Sequence, residues 1–265
     1  MSKPLLKEIN RQYKLMGMNE QAIARLADFL KSSSMFNFGP KPEKTKEKSN
    51  TSDDVEANGK IKHKYSGEQG RNVEIVIDEM NKMGITDVDT QIGILSVIAK
   101  ESGFNMVPEV GYSNTSNDRI RSIFGKRVSK LSDRQLTRLK KSDKDFFEHV
   151  YGVNSGIKLG NTEPGDGYKY RGRGYNGLTG RANYRKYGSL VGENLEGNPD
   201  LLDDPRIAAK VAVQFMLKGK SPKSLPKFDD EREASSYFAD LNAGGSSGRA
   251  RSLAMNSLDK FEKIA

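Results

Sequence analysis

Apolar residues recur at helical spacing through most of this chain. Leu5, Leu6, Ile9 and Tyr13, followed by Ile23, Leu26 and Leu30, form two short stripes broken near Gly17, which predicts one or two amphipathic helices within residues 4–30. From Asn72 the pattern becomes that of a folded domain. Val73, Val76, Ile77 and Met80 predict a helix ending before Gly84, and Ile92, Leu95, Ile98 and Ala99 predict a second one. Later, Asp204 and Pro205 supply an N-cap and a first-turn proline for a helix with Ile207, Val211 and Phe215 on one face, ending at Gly219. Residues 151–188 break this rhythm: they are rich in Gly, Asn and Tyr, with a weak strand signal around Tyr168–Tyr170. The expected fold class is mainly α, as α+β, with a small β element.

Between the two periodic regions the composition shifts. Residues 39–64 hold seven Lys and five acidic residues, with only Val55 and Ile61 as larger aliphatics, too little apolar surface to offset the entropy of ordering. The chain is therefore read as a short helical region at 1–38, a charged flexible linker at 39–68 and a folded domain at 69–265. The 265 residues include no Cys and two His, at 63 and 149, which excludes disulfide scaffolds, thiolate metal sites and Cys nucleophiles. Both His are read as structural or solvated. No apolar run is long enough to span a membrane and no secretory leader is visible, so a soluble product is expected.

The net charge of +9 favours anionic partners. Basic residues form neither one stripe nor a recognised nucleic-acid motif, so no nucleic-acid partner is expected. The segment Lys126 to Lys144 is the densest in cations, either as a solvated helix face or as a surface that concentrates the protein on an anionic envelope.

Two stretches carry candidate chemistry. "AKESGF" places Glu101 at a helix C-terminus, where the helix dipole, together with burial against Phe104, is expected to disfavour ionisation, as a general acid requires. Glu109 follows eight residues later in "PEVGYS". A continuous helix would put them ~12 Å apart along its axis; a chain that breaks at Gly103 and turns back can bring them to the ~6.5–9.5 Å of inverting glycosidases. Two glutamates at this spacing are also common as plain surface acids. The second stretch, "GDGYKYRGRGYNGLTGRANY", contains Gly172-x-Gly174-x-x-Gly177, but without the preceding strand of a dinucleotide site. It reads instead as a loop approaching a sugar, with Tyr170 and Tyr175 offering flat faces and Arg171, Arg173, Thr179 and Asn183 offering polar contacts.

The order "AKESGF", "PEVGYS", "FFEHVYG", "GNTEPGDGYKYRGRGYNGLTGRANYRKYG", "NPDLLDDPRIAAKVAVQFM" and "LNAGG" closely resembles the phage endolysins and chitinases of glycoside hydrolase family 19, over residues 72–264. The resemblance implies a lysozyme-like, two-lobed helical fold and an inverting mechanism. Glu101 then corresponds to the general acid, Glu109 to the general base and Thr179 to the hydroxyl that holds the attacking water. Tyr112, Arg173, Tyr175, Asn183 and Asn242 fall at positions lining the cleft, and no metal or cofactor is implied. Where relatives often carry Gln two residues before the motif Thr, this chain has Gly177.

With no Cys-rich chitin-binding module, the chain is most similar to the branch that cuts the β-1,4 MurNAc–GlcNAc backbone of peptidoglycan. The expectation is a phage-type N-acetylmuramidase, either an endolysin released by a holin or a lysozyme docked in the virion. It would be made in the host cytoplasm and act on periplasmic peptidoglycan, with glycan strands and the anionic envelope as partners. A chitinase acting on GlcNAc polymers, or a non-catalytic glycan-binding virion protein, are the alternatives.

Overall fold

The computed structural model describes residues 61–106 and 108–264. The expected N-terminal helices and residues 39–60 of the expected linker lie outside the described residues. Residues 61–68 do not behave as linker. Ile61–His63 forms strand β1, pairing antiparallel with β2 (Phe261–Lys263) in the register Ile61↔Lys263. His63 is structural, as expected: its Nε2 lies 2.7 Å from Glu74 Oε1.

Among the described residues ten α-helices lie between the strands: α1 (Gly67–Lys82), α2 (Val88–Ser102), α3 (Asn117–Phe124), α4 (Asp133–Leu139), α5 (Asp143–Tyr151), α6 (Asp166–Lys169), α7 (Arg181–Val191), α8 (Pro205–Met216), α9 (Glu231–Ala243) and α10 (Gly248–Met255). The described chain is thus mainly α with a small sheet, as the pattern predicts. The strand expected around Tyr168–Tyr170 is instead the single turn of α6. Asp166 starts that turn because its carboxylate accepts from the Thr162 and Glu163 amides and pairs with Arg181, giving the backbone a local helical solution.

α2 is the spine. Its side chains from Thr90 to Ala99 are all buried, the mark of a helix covered on every face. α9 crosses it closely at Gly93, with a buried bond of 2.8 Å between the Ser96 and Ser235 hydroxyls. Around α2 gathers the largest core, built from α1, α2, α8 and α9 with Phe104 and Phe261. α8 is capped by Asp204 as expected, yet it buries two faces. Val211, flanked by Ile207 and Phe215, joins Tyr170, Tyr184 and Leu202, while Ala208, Ala212 and Met216 join the main core. A separate core of Ile120, Phe124, Val128, Leu136, Phe146, Phe147 and Val150 holds α3, α4 and α5 together as a smaller lobe. His149 belongs to this lobe and bonds the Arg127 carbonyl at 2.9 Å, a structural role.

Candidate active site

The two glutamates are presented from different cores. Glu101 lies in the last turn of α2, on the larger body. The helix stops because Gly103 takes the left-handed conformation (φ 58°), and Phe104 follows with φ 60°, costly for a bulky residue. The α1 side chains Gln69 and Asn72 donate to the carbonyls of Gly103 and Phe104 at 2.7 and 2.9 Å, pinning this reversal. The Phe104 ring, fully buried, packs edge-on to Tyr65 at 5.0 Å. Burying a Phe side chain contributes about 1.5–3 kcal/mol, comparable to the strain of about 1–3 kcal/mol that the backbone stores.

The same reversal corrects one expectation. Phe104 turns into the core and does not cover Glu101, whose residue is exposed. Glu101 Oε1 accepts from Asn242 Nδ2 at 2.7 Å and contacts the Lys100 ammonium. Oε2 makes neither contact, leaving one carboxyl oxygen without a protein hydrogen bond.

Glu109 is held quite differently. Its Oε1 accepts from two phenols, Tyr112 at 2.9 Å and Tyr151 at 3.0 Å, and its Oε2 from the Gly172 amide at 3.3 Å. The backbone is fixed as well: the Glu109 amide donates to the Gly172 carbonyl at 2.8 Å and Arg171 Nε donates to the Glu109 carbonyl at 3.1 Å. Both tyrosines pack into the smaller lobe, Tyr151 stacked on Phe147 at 5.9 Å with rings nearly parallel. Burial first, and then the neighbouring Glu109 carboxylate, push the Tyr151 phenol well above its ordinary range, so it remains a donor. Three donors thus converge on this one carboxylate and fix its position.

The loop from Gly172 to Leu178 touches both carboxylate-bearing segments. Arg173 and Leu178 close it as a bridge pair, Gly172 meets Glu109, and the Tyr175 ring lies against Phe104 at 6.3 Å. A Cβ at position 172 would lie 3.2 Å from Glu109 Oε2 and 3.5 Å from the Gly177 carbonyl oxygen. Glycine keeps that point clear, next to the base. Thr179 is anchored over the same carbonyl, its hydroxyl donating to Gly177 O at 2.9 Å, and Asn183 Nδ2 donates to the Thr179 carbonyl at 2.8 Å.

Of the residues read from sequence, Tyr112, Thr179, Asn183 and Asn242 thus stand at this constellation, Tyr112 against Glu109 and Asn242 against Glu101. Arg173 and Tyr175 do not serve as expected. Arg173 is 5% exposed and tied to Asp200 at 2.8 Å, and Tyr175 is fully buried, so neither offers a face or donor to a ligand. Tyr170 is likewise buried, its hydroxyl on the Glu196 carbonyl. Successive glycines turn this loop so that its large side chains point into the protein and its backbone points at Glu109. Tyr151 and Gly172 were missed. "FFEHVYG" drew attention to His149, and an aromatic four residues after Phe147 reads as core. Two surface cavities of about 400 and 430 Å³ lie elsewhere, and neither is lined by Glu101 or Glu109.

A mainly helical body thus carries one exposed carboxyl, Glu101, while a smaller lobe clamps a second, Glu109, so the two are held by different cores. Residues 155–229, which include the loop and Thr179, match the family model for chitinase class I, glycoside hydrolase family 19, and the family resemblance carried by the motifs stands on that match. Chitinase 8 of Oryza sativa subsp. japonica is 30% identical over 120 residues, 45% of this chain and 44% of that protein. Endochitinase CH25 of Brassica napus is 43% identical over 58 residues, 22% of this chain and 18% of that protein. These matches therefore span less than half the length of either relative. Among solved structures, chitinase C from Streptomyces griseus HUT6037 aligns with a TM-score of 0.40 at 14% identity, covering 71% of this chain and 79% of that one. A bacterial family 19 chitinase aligns at 0.30 and 16%, covering 69% and 85%. No described helix is long and apolar enough to cross a membrane.

Proposed function

We propose that this protein is a glycoside hydrolase that cuts β-1,4 linkages between N-acetylhexosamines by a single inverting displacement. The observation carrying this reading is the asymmetry of the two carboxyls. Glu109, clamped by Tyr112, Tyr151 and the Gly172 amide, is held in one orientation and serves as the base. Glu101 keeps one oxygen free of protein contacts and serves as the acid that protonates the leaving glycosidic oxygen. Water attacking the opposite face of the sugar gives its proton to Glu109 Oε2 while resting beside Gly172, where the Thr179 hydroxyl, anchored on the Gly177 carbonyl, steadies it. Asn242 orients Glu101.

For the polymer, the named chitinases among the relatives and the chitinase family match favour GlcNAc–GlcNAc bonds. The second reading, a phage-type endolysin or virion lysozyme cutting MurNAc–GlcNAc in peptidoglycan, rests on the motif resemblance and on the cationic segment Lys126–Lys144.

The test compares wild type with Glu101→Gln on chito-oligosaccharides and on purified peptidoglycan sacculi. The substitution removes a general acid worth about 10²–10⁴ in rate, and nuclear magnetic resonance of fresh wild-type product should show the α anomer. Reducing GlcNAc ends from chitin support the first reading, and reducing MurNAc ends from sacculi the second. Equal activity of the variant, a β product or cleavage confined to stem peptides refutes the mechanism.

A further inference from the structure

Residues 69–265 carry a net charge of +5, and the segment 126–141 alone holds seven Lys and Arg against one acid, Asp133. The rest of that region is therefore close to neutral: its excess positive charge resides in this one stretch of the smaller lobe. Folding disposes of little of it. Arg127 is drawn inward, its guanidinium 4.8 Å over the Phe124 ring, and Lys140 is buried with its ammonium on the Thr115 carbonyl. The other five, Lys126, Lys130, Arg134, Arg138 and Lys141, are exposed, and among the described residues none forms a salt bridge. Asp133 does not neutralise them. It is taken by Arg121 at 2.8 Å, and that guanidinium, with the Asn117 amide, holds its carboxyl below the ordinary range. The next acid, Asp143, accepts from the Gly111 amide at 3.0 Å.

Five uncompensated cations on one short segment repel one another and do little for folding. Their placement gives them a use. α4 packs on the smaller lobe through Leu136, which aligns Arg134 and Arg138 one turn apart on one side of the helix. Lys140 then bonds the Thr115 carbonyl, Thr115 bonds the Tyr112 carbonyl, and the Tyr112 phenol holds Glu109. The segment that carries the cations is thus linked through Lys140, Thr115 and Tyr112 to the carboxylate proposed as the base.

We propose that this face is a second binding surface, distinct from the Glu101 and Glu109 carboxyls, for a glycan strand whose substituents carry carboxylates: the peptide-bearing strand of peptidoglycan. This rests on the glycosidase reading only for the identity of the strand. Neutral chitin offers the face nothing, so its contribution is confined to carboxylate-bearing strands. Its attraction acts over about a Debye length, ~10 Å at 0.1 M salt, and fades as salt rises.

The test uses the full chain with Glu101→Gln, which spares the matrix, with and without Arg134→Gln, Arg138→Gln and Lys141→Gln together. Retention is measured on sacculi, on chitin and on sheared duplex DNA across a salt series. Removing three exposed charges should weaken retention on sacculi about tenfold at low salt. The difference should vanish at high salt, and retention on chitin should not change. Equal retention of both proteins on sacculi, or a greater loss on DNA than on sacculi, overturns the proposal, the latter in favour of nucleic acid. In the Glu101 background the triple variant should turn over a short neutral oligosaccharide at the wild-type rate and melt at the wild-type temperature. If wild type cleaves no glycan, the glycosidase reading fails, and the retention data still decide the binding face on their own.

Discussion

Replacing Tyr151 by Phe isolates what the smaller lobe does for Glu109. The substitution deletes one hydroxyl, 3.0 Å from Glu109 Oε1, and leaves the ring stacked on Phe147 and under the Arg127 guanidinium. Tyr112 and the Gly172 amide still hold the carboxylate. A hydrogen bond to a charged group contributes about 1.5–3 kcal/mol, and losing one of three loosens the aim of the Glu109 carboxylate. In the proposed mechanism this should lower kcat at the optimum about tenfold with KM little changed. Hydrolysis of a chito-oligosaccharide measures the rate, and thermal melting reports on packing. If kcat stays in place while the melting temperature falls, Tyr151 is a packing residue and the clamp argument is wrong.

Other substitutions test the neighbouring parts. Gly172→Ala puts a methyl 3.2 Å from Glu109 Oε2 and should cost about tenfold in kcat by displacing the base a few tenths of an ångström, with melting unchanged; full activity would mean that nothing reacts beside Gly172. Gly93→Ala drives a methyl to 2.6 Å from Ala234 Cβ at the α2–α9 crossing, an overpacking that should cost about 1–3 kcal/mol by denaturant titration. Asp166→Asn breaks a nearly buried pair with Arg181, and such losses run to about 3–5 kcal/mol. Burial opposes ionisation of Asp166, but Arg181 and the Glu163 and Thr162 amides prevail and hold it below its ordinary value of 3.8. Its contribution is therefore complete above pH 3.8 and lost as pH falls through the depressed value, so wild type and variant should differ at neutral pH and converge in strong acid.

What could be read from the chain follows from how local each cause is. α2 and the Asp204 cap of α8 depend on neighbours within a turn or two, and both are visible as periodicity and capping chemistry. The β1–β2 pair joins segments from opposite ends of the domain through three residues each, too short for alternation to register. That is why Ile61–His63 reads as linker. Arg173 and Tyr175 have the right chemistry for a sugar, but side-chain type does not reveal which way a glycine-rich loop faces. The pairing of Arg173 with Leu178 and the packing of Tyr175 on Phe104 turn both inward. Tyr151 shows the converse. Its ring satisfies the core rule that the sequence obeys, while its hydroxyl finds Glu109 only through tertiary contact.

The reversal at Gly103 and Phe104 ties these cases together. Had α2 run on, Glu109 would have stayed on the axis of the larger body, held by the same core as Glu101. Two consecutive left-handed residues, pinned by Gln69 and Asn72, instead send the chain away from that body. Glu109 is delivered to the tyrosines of the smaller lobe, and Glu101 is left exposed beside Asn242. The same turn that removes the expected cover from Glu101 provides the clamp for Glu109. Two chemically identical side chains therefore differ in environment because one strained turn assigns them to different cores, which is what the proposed division into acid and base requires.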